Sequence, residues 1–421
     1  MDVLTIIAAL ITLSALFGYI NARFLKLPDT IGLMVVAILF TVFTVLTGTI
    51  DPSILEFEKT LINEIDFKKV LLDGFLSILL FAGALHTDFD RLRKLRWPII
   101  MFSTLGVLVS TFLIGGGTYL IIGMFGFSIP FIHCLLFGAL ISPTDPIAVL
   151  GILKKAGVPK GLETKIVGES LFNDGVGVVV FATIYGIAEG GGDMSFQHIG
   201  LLFLEEVGGG ILLGFALGWI TYQLMKSIDN YQIEVLITLA MVLGGYWLAS
   251  SLHFSGPLAM VVAGLMVGHE RFRTTTMSEI TELYVDKFWE LLDVLFNAIL
   301  FVLIGMELLI ITFNTTLVVA GMISVVLVLV CRFIALALPL AIFKKKLDFA
   351  PHTGLIMTWG GLRGGISIAL ALSLTPEMSR DVLLTITYVV VVFSIVVQGL
   401  TVGNLVKRLG LSVERAPDEA H

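Results

Sequence analysis

The sequence predicts an all-α protein that crosses a lipid bilayer about thirteen times. Three observations carry this expectation. Hydrophobic residues make up 57% of the 421 residues and charged residues only 14%, against roughly 25% charged in soluble domains. Mean hydropathy is +1.00. The apolar residues form continuous runs near the roughly 20 residues a spanning helix needs, not the alternation of a membrane barrel. A soluble chain of this length cannot cover its surface with so few charges.

The runs fall near 3–22, 30–49, 70–87, 98–125, 130–153, 164–187, 199–225, 232–251, 255–268, 283–309, 313–342, 352–374 and 382–406. Met1-Asp2 lacks a basic leader region, so the first run reads as a span and not a cleaved signal. The ninth run is the shortest and could merge with its neighbour. The main polar stretches lie at 51–69, 269–281 and 407–421. With the N-terminus outside, the inner loops hold twenty of the 26 basic residues, and the outer loops hold four: Lys59, Lys68, Lys69 and Arg380. That asymmetry sets an N-outside, C-inside orientation. Arg332 and Arg363 fall inside spans. The net charge of −7 and the lack of a basic face exclude a nucleic-acid binder. Cys134 and Cys331 sit in apolar runs without metal or redox spacing.

Segments one to six and eight to thirteen form a candidate pair of repeats offset by seven. An odd offset inverts the topology, as in inverted-repeat transporters. The fifth and twelfth segments then correspond, and both are interrupted. The fifth carries Ser142-Pro143-Thr144-Asp145-Pro146, and the twelfth carries Trp359-Gly360-Gly361-Leu362-Arg363-Gly364-Gly365. Broken segments at matching positions point to a binding site near the bilayer midplane.

Pro143 and Pro146 have no N–H, so the carbonyls of Ala139 and Ser142 lose their helical partners. Freed groups of this kind survive in a membrane only against protein or a wet cavity. The unwound carbonyls around Ser142 to Thr144 are therefore candidate cation ligands. The sixth segment carries Glu169, Ser170, Asn173 and Asp174. At about 100° per residue these share one helical face, with Leu171 and Phe172 pointing elsewhere. Carboxylates in the bilayer need partners. Asp145, Glu169 and Asp174 against Arg332 and Arg363 leave one negative charge. One carboxylate can then hold either a proton or a monovalent cation, and that competition is the chemistry of exchange. Hard oxygen donors suit Na+, Li+ or K+.

These motifs, together with Cys331-Arg332-Phe333, resemble the monovalent cation/proton antiporters, in their NhaP-like and NHE-like branch (CPA1). The resemblance implies a thirteen-helix homodimer in the plasma (inner) membrane with the C-terminus cytoplasmic, Na+ (or Li+ or K+) and H+ as substrates, and no cofactor. It implies a scaffold (1–96 and 198–310), a moving ion-transporting core (97–197 and 311–408) and a short tail (409–421). Asp174 is the implied ion- and proton-binding carboxylate, with Ser170 and Asn173 beside it and Thr144 lending its backbone. Asp145 is implied as a site or crossover residue, Glu169 as the partner of Arg332, and Arg363 as a crossover residue near Asp145. One departure is expected. Members often carry an acidic residue on the third segment, where this chain has Ala82 in Leu80-Phe81-Ala82-Gly83-Ala84-Leu85.

Other features carry alternative readings. His86, His133, His253 and His269 are candidate pH sensors or interface residues. Asp286, Glu290 and Asp293 share a helical face and form either an acidic funnel or a solvated helix end. Gly210, Gly214 and Gly218 favour close helix packing, at the dimer seam or elsewhere. The alternatives to Na+/H+ exchange are K+/H+ exchange and proton-coupled transport of an organic solute. A channel would need a continuous polar stripe, and an intramembrane enzyme a His/Glu metal motif or a second unpaired aspartate.

Overall fold

A computed structural model describes residues 3–48, 53–64, 74–145, 153, 156–190, 196–309, 314–343 and 352–411. Pro146, the second half of the fifth segment, Lys68, Lys69, Lys154, Lys155, Lys344 to Lys346 and the tail from 412 lie outside these residues. Among the described residues every regular element is helical.

The helices are α1 (Val3–Ile20), α2 (Asp29–Thr47), α3 (Ser53–Glu64), α4 (Leu76–Leu85), α5 (Phe89–Lys94), α6 (Arg96–Met124), α7 (Phe131–Ile141), α8 (Lys160–Ala188), α9 (Phe196–Lys226), α10 (Tyr231–Ser251), α11 (Gly256–Val267), α12 (Glu270–Thr276), α13 (Glu279–Met306), α14 (Thr315–Phe343), α15 (Thr353–Trp359), α16 (Gly365–Leu372), α17 (Arg380–Phe393) and α18 (Gly399–Arg408). A π-helical turn, Ser394–Gln398, joins α17 to α18 without a break in the span.

Among the described residues nine helices are long and apolar enough to cross a membrane. The α4, α7 and α11 helices are shorter apolar pieces, and α15 with α16 makes the interrupted twelfth segment. Each predicted segment thus has its helix or broken helix. The ninth stands apart from α10: Ser255 caps α11 by accepting from the Leu258 N–H, with Pro257 in the first turn. Unforeseen was α3, inside a stretch read only as polar. Its Glu58 is buried and accepts from the Thr41 and Thr44 hydroxyls of α2, at 2.5 Å each. The segment carries a helical apolar pattern, Ile54, Leu55, Leu61 and Ile62, but it is too short and too charged to read as a span.

The large outward residues are apolar, as lipid requires: Leu204, Leu212, Trp219 and Trp247 are all mostly exposed. Gly210, Gly214 and Gly218 bring α9 against α11 of the same chain. A Cβ at Gly210 would lie 2.6 Å from the Ser255 carbonyl, and one at Gly214 would lie 2.6 Å from that of Ala259. The glycine stripe is therefore spent on packing within the chain and is not free to form a dimer seam.

The helices pack as two groups. In one, α6 packs on α7, α8 and α14, while α17 packs on α14 and α16. In the other, α11 packs on α4, α9 and α10, while α13 packs on α1, α2, α4 and α10. Contacts of α8 with α4, α9 and α11, and of α13 with α16, join them.

Candidate functional site

The site is built where the two interrupted segments meet. The α7 helix has 11 residues, or about 16 Å at 1.5 Å each, half the hydrocarbon thickness. The chain then unwinds through Ser142 to Asp145. The α15 helix stops at Trp359, and α16 restarts at Gly365. The Asp145 N–H donates to the Leu362 carbonyl at 2.7 Å, tying the two breaks together.

Each half-helix end exposes main-chain groups and a partial charge that must be answered. The α7 C-terminus meets Arg363, whose Nη1 donates to the carbonyls of Ser142 (2.9 Å) and Pro143 (3.0 Å). The α16 N-terminus carries the opposite sign and meets the Asp145 carboxylate. Only a glycine at 364 permits this approach: a Cβ there would lie 2.3 Å from Asp145 Oδ2. The π-helical turn supplies two more caps. Ser394 Oγ accepts from the Arg363 N–H at 2.9 Å, and Gln398 Nε2 donates to the Trp359 carbonyl at 2.9 Å. Sequence reasoning missed both residues, because a π turn carries no distinct sequence pattern.

The α8 helix presents its polar face to these breaks. The Thr144 N–H donates to Asn173 Oδ1 at 3.2 Å, and Asn173 Nδ2 donates to Thr144 Oγ1 at 2.9 Å. Thr144 Oγ1 and Ser170 Oγ share a further hydrogen bond of 2.8 Å. Asn173 therefore clamps the unwound chain to α8 with both ends of its amide. Glu169 pairs with Arg332 of α14 at 2.5 Å, and both side chains are buried. Glu169, Ser170, Asn173, Asp174, Thr144, Arg332 and Arg363 are each at most 3% exposed.

Asp174 and Asp145 open onto a cavity of about 40 Å³ between the two helix groups, room for one or a few waters. Its wall includes Pro143, Leu171 and the start of α16 on one side, and Leu76, Leu79, Leu80, Gly83, Asn297 and Leu300 on the other.

Several expectations need correction. The carbonyls of Ser142 and Pro143 are held by a guanidinium, so they are poor cation ligands; Thr144 is left as the main-chain candidate. Leu171 does not point away from the site but forms part of its wall. Ala82 does not face the cavity. It packs in the cluster of Phe81 and Trp289, while its neighbour Gly83 lines the cavity. On the acidic face of α13, Asp286 and Glu290 are salt-bridged. Arg273 grips Asp286 with two 2.8 Å bonds and also binds Glu282, while Glu290 pairs with Lys287. Two of the four histidines serve helix ends. His86 Nδ1 contacts the Ala82 carbonyl, His269 caps α12 by accepting from the Arg271 N–H, and His133, near the start of α7, lies 3.2 Å from Ser379 Oγ. His253 occupies the turn before α11 with a positive φ of 57°.

Two crossed half-helices with paired arginines and buried carboxylates at a seam define a multi-pass secondary transporter of the broken-helix type. The chain belongs to the sodium/hydrogen exchanger family, whose transmembrane model matches residues 11–408. It is 49% identical over 411 residues to the Na+/H+ antiporter NhaP of Pseudomonas aeruginosa, covering 96% of this chain and 97% of that protein. It is 35% identical over 397 residues to the Na+/H+ antiporter NhaH of Halobacillus dabanensis, covering 93% and 94%. Its fold matches the solved structure of the sodium proton antiporter MjNhaP1 from Methanocaldococcus jannaschii. The TM-score is 0.75 at 20% identity, over 98% of this chain and all of that one.

Proposed function

We propose that this protein exchanges Na+ for H+ across the inner membrane, one for one, with the two ions competing for Asp174. The observation that carries this reading is the placement of Asp174. It lies at the seam of two helix groups and opens onto a small cavity, while Glu169 is matched by Arg332 and Arg363 is spent on main-chain oxygens. A carboxylate so placed can hold a proton or a cation but not both. Asp145 stands beside it as a second oxygen donor or as an electrostatic partner. Ser170, one helical turn before Asp174 and hydrogen-bonded to Thr144 Oγ1, and the Thr144 carbonyl are the further hard-oxygen donors of this reading.

Motion follows from the packing. The α6, α7, α8, α14, α15, α16 and α17 helices form the moving core, and α1, α2, α4, α9, α10, α11 and α13 the scaffold. Rocking or sliding of one against the other exposes the same site to each side in turn. Movement with the site empty would leave a bare buried carboxylate, which the bilayer penalises; occupancy by either ion removes that barrier. The protein works as a homodimer with its N-terminus outside and its C-terminus in the cytoplasm. The family likeness and the asymmetry of the basic residues support this.

The α4 wall of the cavity is apolar. It offers no acid to favour a small ion, which keeps K+/H+ exchange as the second reading. Sealed vesicles separate the two. Addition of Na+ is expected to release protons from acid-loaded vesicles at lower concentration than K+. Proton release by K+ alone would establish the second reading, and release by neither would defeat both.

A further inference from the structure

The cavity beside Asp174 has polar lining residues on both walls. Asp145, Asp174 and Ser367 come from the core side, and Asn297 of α13 is the polar side chain on the facing wall. Asn297 is only 4% exposed. Its orientation is determined by its neighbours. The nitrogen end lies 2.8 Å from the Asp293 carbonyl and 3.0 Å from Asp293 Oδ1. Both of those groups accept hydrogen bonds and do not donate, so the amide cannot be turned round. The other end must then be oxygen, and Asn297 Oδ1 has no hydrogen-bond partner although it is buried. A buried carbonyl oxygen without a donor is rare in a folded protein and needs an explanation.

We infer that Asn297 Oδ1 is a cation-ligating oxygen supplied by the facing wall, and that Asp293 is the residue that aims it. A monovalent cation beside Asp174 would satisfy the orphaned oxygen, and a protonated site would leave it to water. Asn297 then favours the cation-loaded state over the proton-loaded one. It also contributes a ligand from α13 and not from the helix that carries Asp174, so the shell is complete only while the two helix groups hold this arrangement. Movement of the core removes that ligand and lowers the affinity on the way to release.

The inference rests on the exchange reading above, and the test separates the two. The full-length protein is purified in detergent, and the Na+ concentration giving half of the Na+-dependent thermal stabilisation is measured, with proton flux in vesicles alongside. If wild-type protein responds to Na+ in neither assay, the exchange reading fails and this one with it. If it responds, Asn297→Ala is expected to raise the half-saturating Na+ about tenfold, the scale of one lost polar contact. Maximal flux should fall by much less. Asp293→Asn is expected to raise the half-saturating Na+ about threefold, because the amide loses a charged acceptor. Asn297→Ser serves as a second variant should the alanine form not fold, read by the same criterion. A half-saturating Na+ within twofold of wild type in a folded Asn297 variant overturns the assignment; a purely structural Asn297 would shift the sodium-free melting temperature alone.

Discussion

Arg363 in the break of the twelfth segment binds the main-chain oxygens of Ser142 and Pro143 in the break of the fifth. One side chain thus closes both interruptions, and its charge answers the negative end of α7. Removing it strands two buried carbonyls, each costing about 1–3 kcal/mol. Arg363→Ala is expected to lower stability in detergent by about 3 kcal/mol and to abolish exchange. Arg363→Lys should recover part of the stability, since one ammonium can still reach a carbonyl. A melting curve for the alanine variant equal to wild type would show that the cap is dispensable.

Glu169 and Arg332 are buried together. Breaking such a pair leaves an uncompensated charge, at a cost of about 3–5 kcal/mol. Glu169→Gln and Arg332→Gln are each expected to destabilise on that scale, and the double variant to regain at least about 1 kcal/mol. Simple addition of the two losses would mean that the residues do not act as partners.

Gly364 has an ordinary negative φ of −121°, so alanine meets no backbone barrier there. Its effect would be steric, because the Cβ would collide with Asp145 Oδ2. Gly364→Ala is expected to insert and fold, displace the Asp145 carboxylate and raise the Na+ needed for half-maximal flux about tenfold, the scale of one polar contact. An unchanged Na+ dependence would remove Asp145 from the ion site.

Much of this site was legible in the sequence, because membrane chemistry leaves few excuses for polar residues. Two prolines around Asp145, a glycine-rich break around Arg363 and four polar residues on one face of the sixth segment pointed to the place where the two breaks meet. What the sequence could not convey was direction. It placed carbonyls at Ser142 and Pro143 but not the guanidinium that occupies them. It did not convey that Ala82 packs against Phe81 and Trp289 while its neighbour Gly83 lines the cavity. Asn297 stood in the apolar run Val294–Met306 as a lone amide, with Asp293 four residues before it read only as one acid of a helix face. Its significance depends on an oxygen without a donor, which only the packed structure reveals.

The one-for-one exchange proposed above is electroneutral if Asp174 alone titrates in the cycle. The residue beside Asp174 is the amide Asn173, which takes up no proton near neutral pH and is already committed to Thr144. Asp293 belongs to α13, which the proposed motion leaves in the scaffold, so a proton there would not travel with the proposed moving core. One Na+ for one H+ at Asp174 moves no net charge, and a membrane potential worth about 2.3 kcal/mol per charge per 100 mV has no hold on the equilibrium. In proteoliposomes with matched ion concentrations, an imposed diffusion potential is expected to drive no proton movement. A potential-driven pH change that needs active protein would point to a second titrating carboxylate, with Asp145 the first to examine.

The central claim is that one carboxylate, Asp174, carries both ions. The most direct measurement is Na+-driven proton efflux from acid-loaded vesicles containing Asp174→Asn, with insertion verified by the amount and melting behaviour of the purified protein. The asparagine keeps the size of the side chain and removes its charge and its proton. The expected result is a folded protein with no Na+-dependent proton movement at any Na+ concentration. Na+-driven efflux at a substantial fraction of the wild-type rate in that variant would contradict it.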